Sequence, residues 1–81
     1  MVTTTDVIEI AGTTLSLMWA GHYLMSAAIT YPSCHSRDVY QAREEIETMM
    51  SHSQDMIYKG TTIEGTLFTE RWEITNDASE F

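Results

Sequence analysis

The chain has 81 residues, which corresponds to a single domain over residues 1–81 with a thin hydrophobic core. Twelve acidic residues against four basic ones give a formal charge of −8, which argues against direct binding to DNA or RNA because phosphate contacts need clustered Lys and Arg. The single cysteine, Cys34, excludes an intrachain disulfide, and the N-terminus resembles no signal peptide, so we expect a cytoplasmic protein.

The N-terminal part of the chain begins with a short predicted strand over residues 7–11, where Ile8 and Ile10 alternate with Glu9. No Asp, Glu, Lys or Arg occurs from Ile10 to Ser36, and apolar residues in this stretch recur at helical spacing. The spacing predicts a largely buried helix over residues 14–31. The alternative is a hairpin that turns around residues 11–13 and continues as a strand to residue 19. Polar residues interrupt the charge-free stretch, so no membrane-spanning segment is expected.

One face of the predicted N-terminal helix combines large apolar side chains with alanines. Small residues allow a second helix to approach closely, so we expect this face to pack on the chain's other helix or on a copy in a homo-oligomer. The predicted self-association residues are Leu17, Ala20, Leu24, Ala27, Ala28 and Tyr31.

The best-defined element is a predicted helix over residues 37–58. Pro32 ends the preceding element, Ser36 is a good N-cap, and Gly60 is a good C-terminal stop. One narrow stripe of this helix is apolar and the other side is acidic. The stripe contains Val39, Ala42, Ile46, Met49, Met50, Ser53 and Ile57.

The C-terminal part is rich in β-branched and aromatic residues, which are typical of strands. Residues 61–63 and 66–75 form either two strands joined by a turn at Glu64 and Gly65 or one long strand with a bulge. Glu70 interrupts an otherwise apolar strand face, and residues 76–81 are expected to form a loose tail. The predicted class is an α+β domain, with a small antiparallel sheet packed with two helices.

No motif in the chain predicts catalysis or metal binding. Cys34 and His35, with His22 and His52, supply atoms that zinc prefers, but their spacing matches no known zinc pattern. Cys34 and His35 are adjacent in a loop, where neighbouring side chains usually point apart, so they do not predict a nucleophile and its base. We therefore expect no enzyme activity, no metal and no cofactor.

The acidic residues are the candidate partner-binding site. These acidic residues have two explanations. They are the solvated side of an ordinary helix, which needs no partner, or they form a surface that binds a basic, nucleic-acid-binding patch on another protein. The candidate residues are Glu44, Glu45, Glu47, Asp55, Glu70 and Glu73.

Size, acidity and the lack of chemistry together predict the class of function. They favour a non-enzymatic protein-binding module, a small inhibitor or adaptor of the kind that phages encode against host or defence proteins. One alternative is a structural or assembly subunit that self-associates through its apolar half. A second alternative is a small ligand-binding domain or enzyme. The sequence does not identify the partner.

Overall fold

The computed structural model describes residues 3–10, 12–32, 39–50 and 54–75. These parts of the chain contain five β-strands and one α-helix. In chain order the elements are β1 (Thr3–Ile10), β2 (Thr13–Ala20), β3 (Tyr23–Pro32), α1 (Val39–Met49), β4 (Met56–Glu64) and β5 (Leu67–Ile74).

All five strands belong to one antiparallel sheet with the order β1-β2-β3-β5-β4. The first three strands form a meander, and the chain then passes through α1 to the outer strand β4. A hairpin brings β5 back to pair with β3. Helix α1 packs on one face of the sheet, over β2 and β3. The molecule therefore has two layers, and β1 and β4 are the sheet's two edges.

The predicted class, a small sheet packed with two helices, is wrong because residues 14–31 form strands β2 and β3 and not a helix. The hairpin alternative describes the first half of this segment correctly, since β1 and β2 pair in register from Ile10 and Thr13 outward. A bulge explains the misleading helical spacing. The β2–β3 register shifts between Met18 and Trp19, so that Leu24 and Ala27 are both buried although they lie three residues apart.

The helix predicted over residues 37–58 exists, but it is shorter than predicted. Val39, Ala42 and Ile46 are buried as the stripe predicts. The prediction of its end is wrong, since the chain is already in β4 from Met56 onward, and Gly60 lies at a bulge inside that strand with φ of 124°. Pairing with β5 overrides the helical pattern there. The predicted cap at residue 36 and the stripe position at residue 53 lie outside the described residues.

The C-terminal segment forms two strands joined by a turn, so the alternative of one long bulged strand is wrong. Gly65 has φ of 62°, a left-handed conformation that favours glycine and closes the hairpin between Glu64 and Leu67. Residues 76–81, the predicted tail, lie outside the described residues.

The hydrophobic core lies between α1 and the sheet face beneath it. Cross-strand neighbours share a face, so alternate residues of β2, β3 and β5 enter this core while the residues between them point to the other side. The buried members are Leu15, Leu17, Leu24, Ala27, Ile29, Tyr31, Val39, Ala42, Ile46 and Ile74.

Candidate binding surface on the helix

Arg43 is the only basic residue of α1, and its side chain is directed towards the sheet, where it meets Glu70 of β5. The Nη2 atom of Arg43 donates to the two carboxylate oxygens of Glu70 at 2.9 and 2.8 Å, and Nε donates at 3.2 Å. Glu70 is only 6% exposed, and it also accepts hydrogen bonds from the Tyr31 hydroxyl and the Trp72 indole N–H. A buried carboxylate with this many donors is well satisfied.

Aromatic rings complete this Arg43–Glu70 cluster. The guanidinium carbon of Arg43 lies 5.3 Å from the ring centroid of Tyr40 and 5.5 Å from that of Trp72, within the range of a cation–π contact. Burial raises the pKa of Tyr31 above its ordinary value, and the charge and hydrogen bond of Glu70 raise it further. The cluster joins one turn of α1 to β3 and β5. The positive charge in it is that of Arg43, the one basic residue of α1.

The outer side of α1 is consequently acidic. Glu44, Glu45 and Glu47 are exposed, and no ion pair joins them to any basic residue in the described parts of the chain. Tyr40 lies one turn before Glu44 and is 68% exposed. Three exposed carboxylates and one aromatic ring therefore form the outward surface, which we call the acidic helix face (Tyr40, Glu44, Glu45 and Glu47).

The other predicted partner-binding residues lie elsewhere. Asp55 is exposed just before β4, and its backbone is held by a hydrogen bond in which the Thr75 N–H donates to its carbonyl at 2.9 Å. Glu70 is inside the cluster and cannot reach a partner. Glu73 is exposed on the sheet face opposite α1, 3.8 Å from Lys59. The structure thus brings together only Glu44, Glu45 and Glu47.

The six residues predicted to mediate self-association are divided between two environments. Leu17, Leu24, Ala27 and Tyr31 are buried in the chain's own core. Ala20 and Ala28 are half-buried on the sheet face that α1 does not cover. Self-association through this set stays a prediction, and the folded chain exposes little of it.

A groove of about 510 Å³ lies on the uncovered sheet face. Met18 and Met25 are exposed there, between small and hydroxyl-bearing neighbours. Arg71 and Lys59 contribute two basic groups, and Glu73, which lies 3.8 Å from Lys59, contributes an acidic one. A shallow apolar groove with one or two cations is able to hold an anionic, partly apolar molecule. It is one part of the described surface that corresponds to the ligand-binding alternative.

The predicted metal-type residues do not form a cluster in the described parts of the chain. No group of three or more His, Cys, Asp or Glu side chains there is placed to hold a metal ion. Cys34, His35 and His52 lie outside these parts, and His22 is exposed at the turn between β2 and β3. Within the same residues, no helix has the length and apolar character needed to cross a membrane.

Arg43 was missed as a structural residue in the sequence, although two signals pointed to it. It is the one base between Val39 and Met49, four residues after the buried Val39 and three before the buried Ile46. Glu70 is the one acid on an apolar strand face. A base beside a buried stripe and an acid within an apolar face together predict an internal ion pair.

The acidic helix face carries charge and one ring, and it holds no nucleophile or metal ligand set. It can attract a cationic surface through Coulomb forces and pack its ring against that surface. No protein-family model, no curated protein and no solved structure matches this chain.

Proposed function

We propose that this protein is a non-enzymatic binding module that acts, as a small inhibitor or adaptor does, by occupying a basic surface of another protein. The observation that carries the proposal is the inward position of Arg43, which leaves Glu44, Glu45 and Glu47 without an ion-pair partner among the residues that the structure describes. Opposite charges three or four residues apart on an exposed helix stabilise it, and like charges at that spacing destabilise it. In α1 the one basic side chain, Arg43, is directed towards the sheet and pairs with Glu70.

The charge distribution favours a basic partner. The three glutamates span roughly 5 Å along the helix axis, so their charges act together on a nearby cationic groove. With a total charge of −8, the whole chain adds long-range attraction. Such attraction raises association rates and is weakened by salt. A partner surface that normally binds nucleic-acid phosphates has the complementary chemistry.

The Arg43–Glu70 cluster also holds the acidic helix face in place. Tyr40 is fixed at one side by the Arg43 guanidinium, and exposed aromatic rings are frequent anchors in interfaces. Because α1 is tied to β5 by three hydrogen bonds, little conformational freedom remains to be lost when a partner binds.

Association kinetics with two matched variants test this function. The partner is first captured from cells of the source organism on immobilised wild-type protein, and its identity is established. The helix variant combines Glu44→Gln, Glu45→Gln and Glu47→Gln. The control variant combines Glu9→Gln, Glu64→Gln and Glu73→Gln, which removes the same charge from exposed positions of the sheet.

We expect the helix variant to associate at least ten-fold more slowly, with a flatter dependence on salt, and the control to change only a few-fold. The free energy of unfolding of each variant should stay within about 1.5 kcal/mol of wild type, since each combines three exposed substitutions of about 0.5 kcal/mol at most. Equal slowing by the two variants would show that net charge alone matters. An unchanged rate in the helix variant would exclude the acidic helix face as the binding surface.

A further inference from the structure

The two edges of the sheet differ in how they are protected. An edge strand exposes unpaired N–H and C=O groups, and proteins commonly blunt such edges with charged side chains (lysine above all), with proline or with a bulge. Edge strand β4 has Lys59 and a bulge between Tyr58 and Gly60. Edge strand β1 has no bulge, Lys, Arg or Pro, and its charged residues are Asp6 and Glu9. It pairs with β2 without a register shift over Thr3–Ile10. Six of its eight side chains are exposed.

We propose that β1 pairs antiparallel with β1 of a second copy, which joins two sheets into one of ten strands. Identical strands that pair in this way are related by a two-fold axis perpendicular to the sheet. Side chains opposite each other in an antiparallel pair lie on the same face. The axis must therefore lie midway between two copies of the same residue, so that this residue is opposite itself. Only then are opposite residues an even number of positions apart in the sequence, as residues on the same face of a strand are.

Charge and length select the residue on the axis. An axis at Asp6 would place two carboxylates directly opposite each other, which is destabilising. An axis at Ile8 would pair only residues 6–10. An axis at Val7 pairs residues 4–10 with residues 4–10, places Asp6 opposite Ile8, and brings no like charges face to face.

Val7 itself supports this register. It is a β-branched residue that is 65% exposed in the single chain, among the most exposed large apolar side chains of the described residues. In the dimer it would meet Val7 of the second copy, and part of its apolar surface would leave water. The partly buried Ile8 and Ile10, on the helix side, would at the same time gain neighbours across the new strand pair.

The dimer would place both α1 helices on the same side of the ten-stranded sheet, since a perpendicular axis preserves the face. With α1 over β2 and β3 and strands spaced about 4.8 Å apart, the helices would lie roughly 20 Å from each other. The dimer would then present its two acidic helix faces on the same side of the sheet. The inference depends on the strand edge and not on the proposed function, so each can fail separately.

Disulfide trapping tests the register. Opposite residues of an antiparallel pair have Cα atoms about 4.5–5.5 Å apart, within the range for a disulfide. In a Cys34→Ser background, Val7→Cys should give a covalent dimer under mild oxidation. Asp6→Cys shifts the thiol by one residue, and Ile63→Cys places it on the β4 edge at similar exposure, 62%. We expect both of these to remain mostly monomeric on denaturing gels.

Sedimentation equilibrium tests the interface without cysteines. The wild type should be a dimer at tens of micromolar, and Val7→Glu should raise the dimer dissociation constant by about ten-fold or more, because like charges would oppose each other on the axis. The matched change on the other edge, Ile63→Glu, should leave the dimer intact. A wild-type monomer, or equal crosslinking at Val7→Cys and Ile63→Cys, would overturn the proposal. If Val7→Glu does not fold, the crosslinking comparison still decides.

Discussion

Replacing Ile46 by aspartate is expected to unfold the domain. Ile46 is fully buried at the centre of the contact between α1 and the sheet. An aspartate there would lose the apolar burial and place a carboxylate among Leu, Ile and Ala side chains with no base to pair with it. Domains of this size are stabilised by only about 5–10 kcal/mol, and a buried unpaired charge removes most of that. Circular dichroism should show no cooperative thermal transition.

Two control substitutions separate the effect of adding a negative charge from the effect of changing residue 46. Gln41→Asp introduces the same residue at an exposed site of α1 and should change the free energy of unfolding by no more than about 0.5 kcal/mol. Ile46→Val keeps the site apolar and should cost about 1 kcal/mol. A cooperative transition near the wild-type temperature in Ile46→Asp would mean that the helix does not pack on the sheet as described.

Arg43→Met should be the next most damaging change, with a loss of about 3 kcal/mol in the free energy of unfolding. The substitution keeps an apolar stem but leaves the Glu70 carboxylate, which is 6% exposed, with Tyr31 and Trp72 as its donors among the described residues. The melting temperature should fall by roughly 15 °C for a domain of this length. Urea unfolding measures the free energy directly.

The control for Arg43→Met is Lys59→Met, which breaks the other ion pair of the described residues. Lys59 and Glu73 are 3.8 Å apart and more than half exposed, so this change should cost less than about 0.5 kcal/mol. The double variant Arg43→Met with Glu70→Met removes both charges and should be more stable than Arg43→Met alone. If Arg43→Met and Lys59→Met cost the same, the Arg43–Glu70 cluster does not hold the helix to the sheet.

The fold could be predicted from the sequence only in part, and the misleading features have a physical origin. The stripe of Val39, Ala42 and Ile46 has no other explanation than a helix, and it is confirmed. The β2–β3 hairpin has the sequence pattern of a helix because a bulge shifts the phase of burial between Leu24 and Ala27. A period-2 pattern with one inserted residue mimics a period of 3.6. Only the pairing partner of each strand resolves this ambiguity.

The candidate site was also predictable in part. The helical pattern predicts Glu44, Glu47 and Asp55 on the outer side of a helix; Glu44 and Glu47 are exposed there, whereas Asp55 lies beyond the end of α1. The sequence does not show that Glu70, unlike these residues, is buried. An acid is buried when a base pairs with it, and that base can belong to a distant element of the chain. Arg43 and Glu70 are 27 residues apart, and local patterns do not report such contacts.

Chemical-shift mapping of the acidic helix face is the most direct test of the proposed function. Backbone amide spectra of the ¹⁵N-labelled protein would be recorded with and without the captured partner. We predict that the largest changes fall on Tyr40, Glu44, Glu45 and Glu47, and that added salt reverses them. Changes centred instead on the groove residues Met18, Met25 and Arg71, with the helix amides unaffected, would contradict the proposal that this protein binds through its acidic helix.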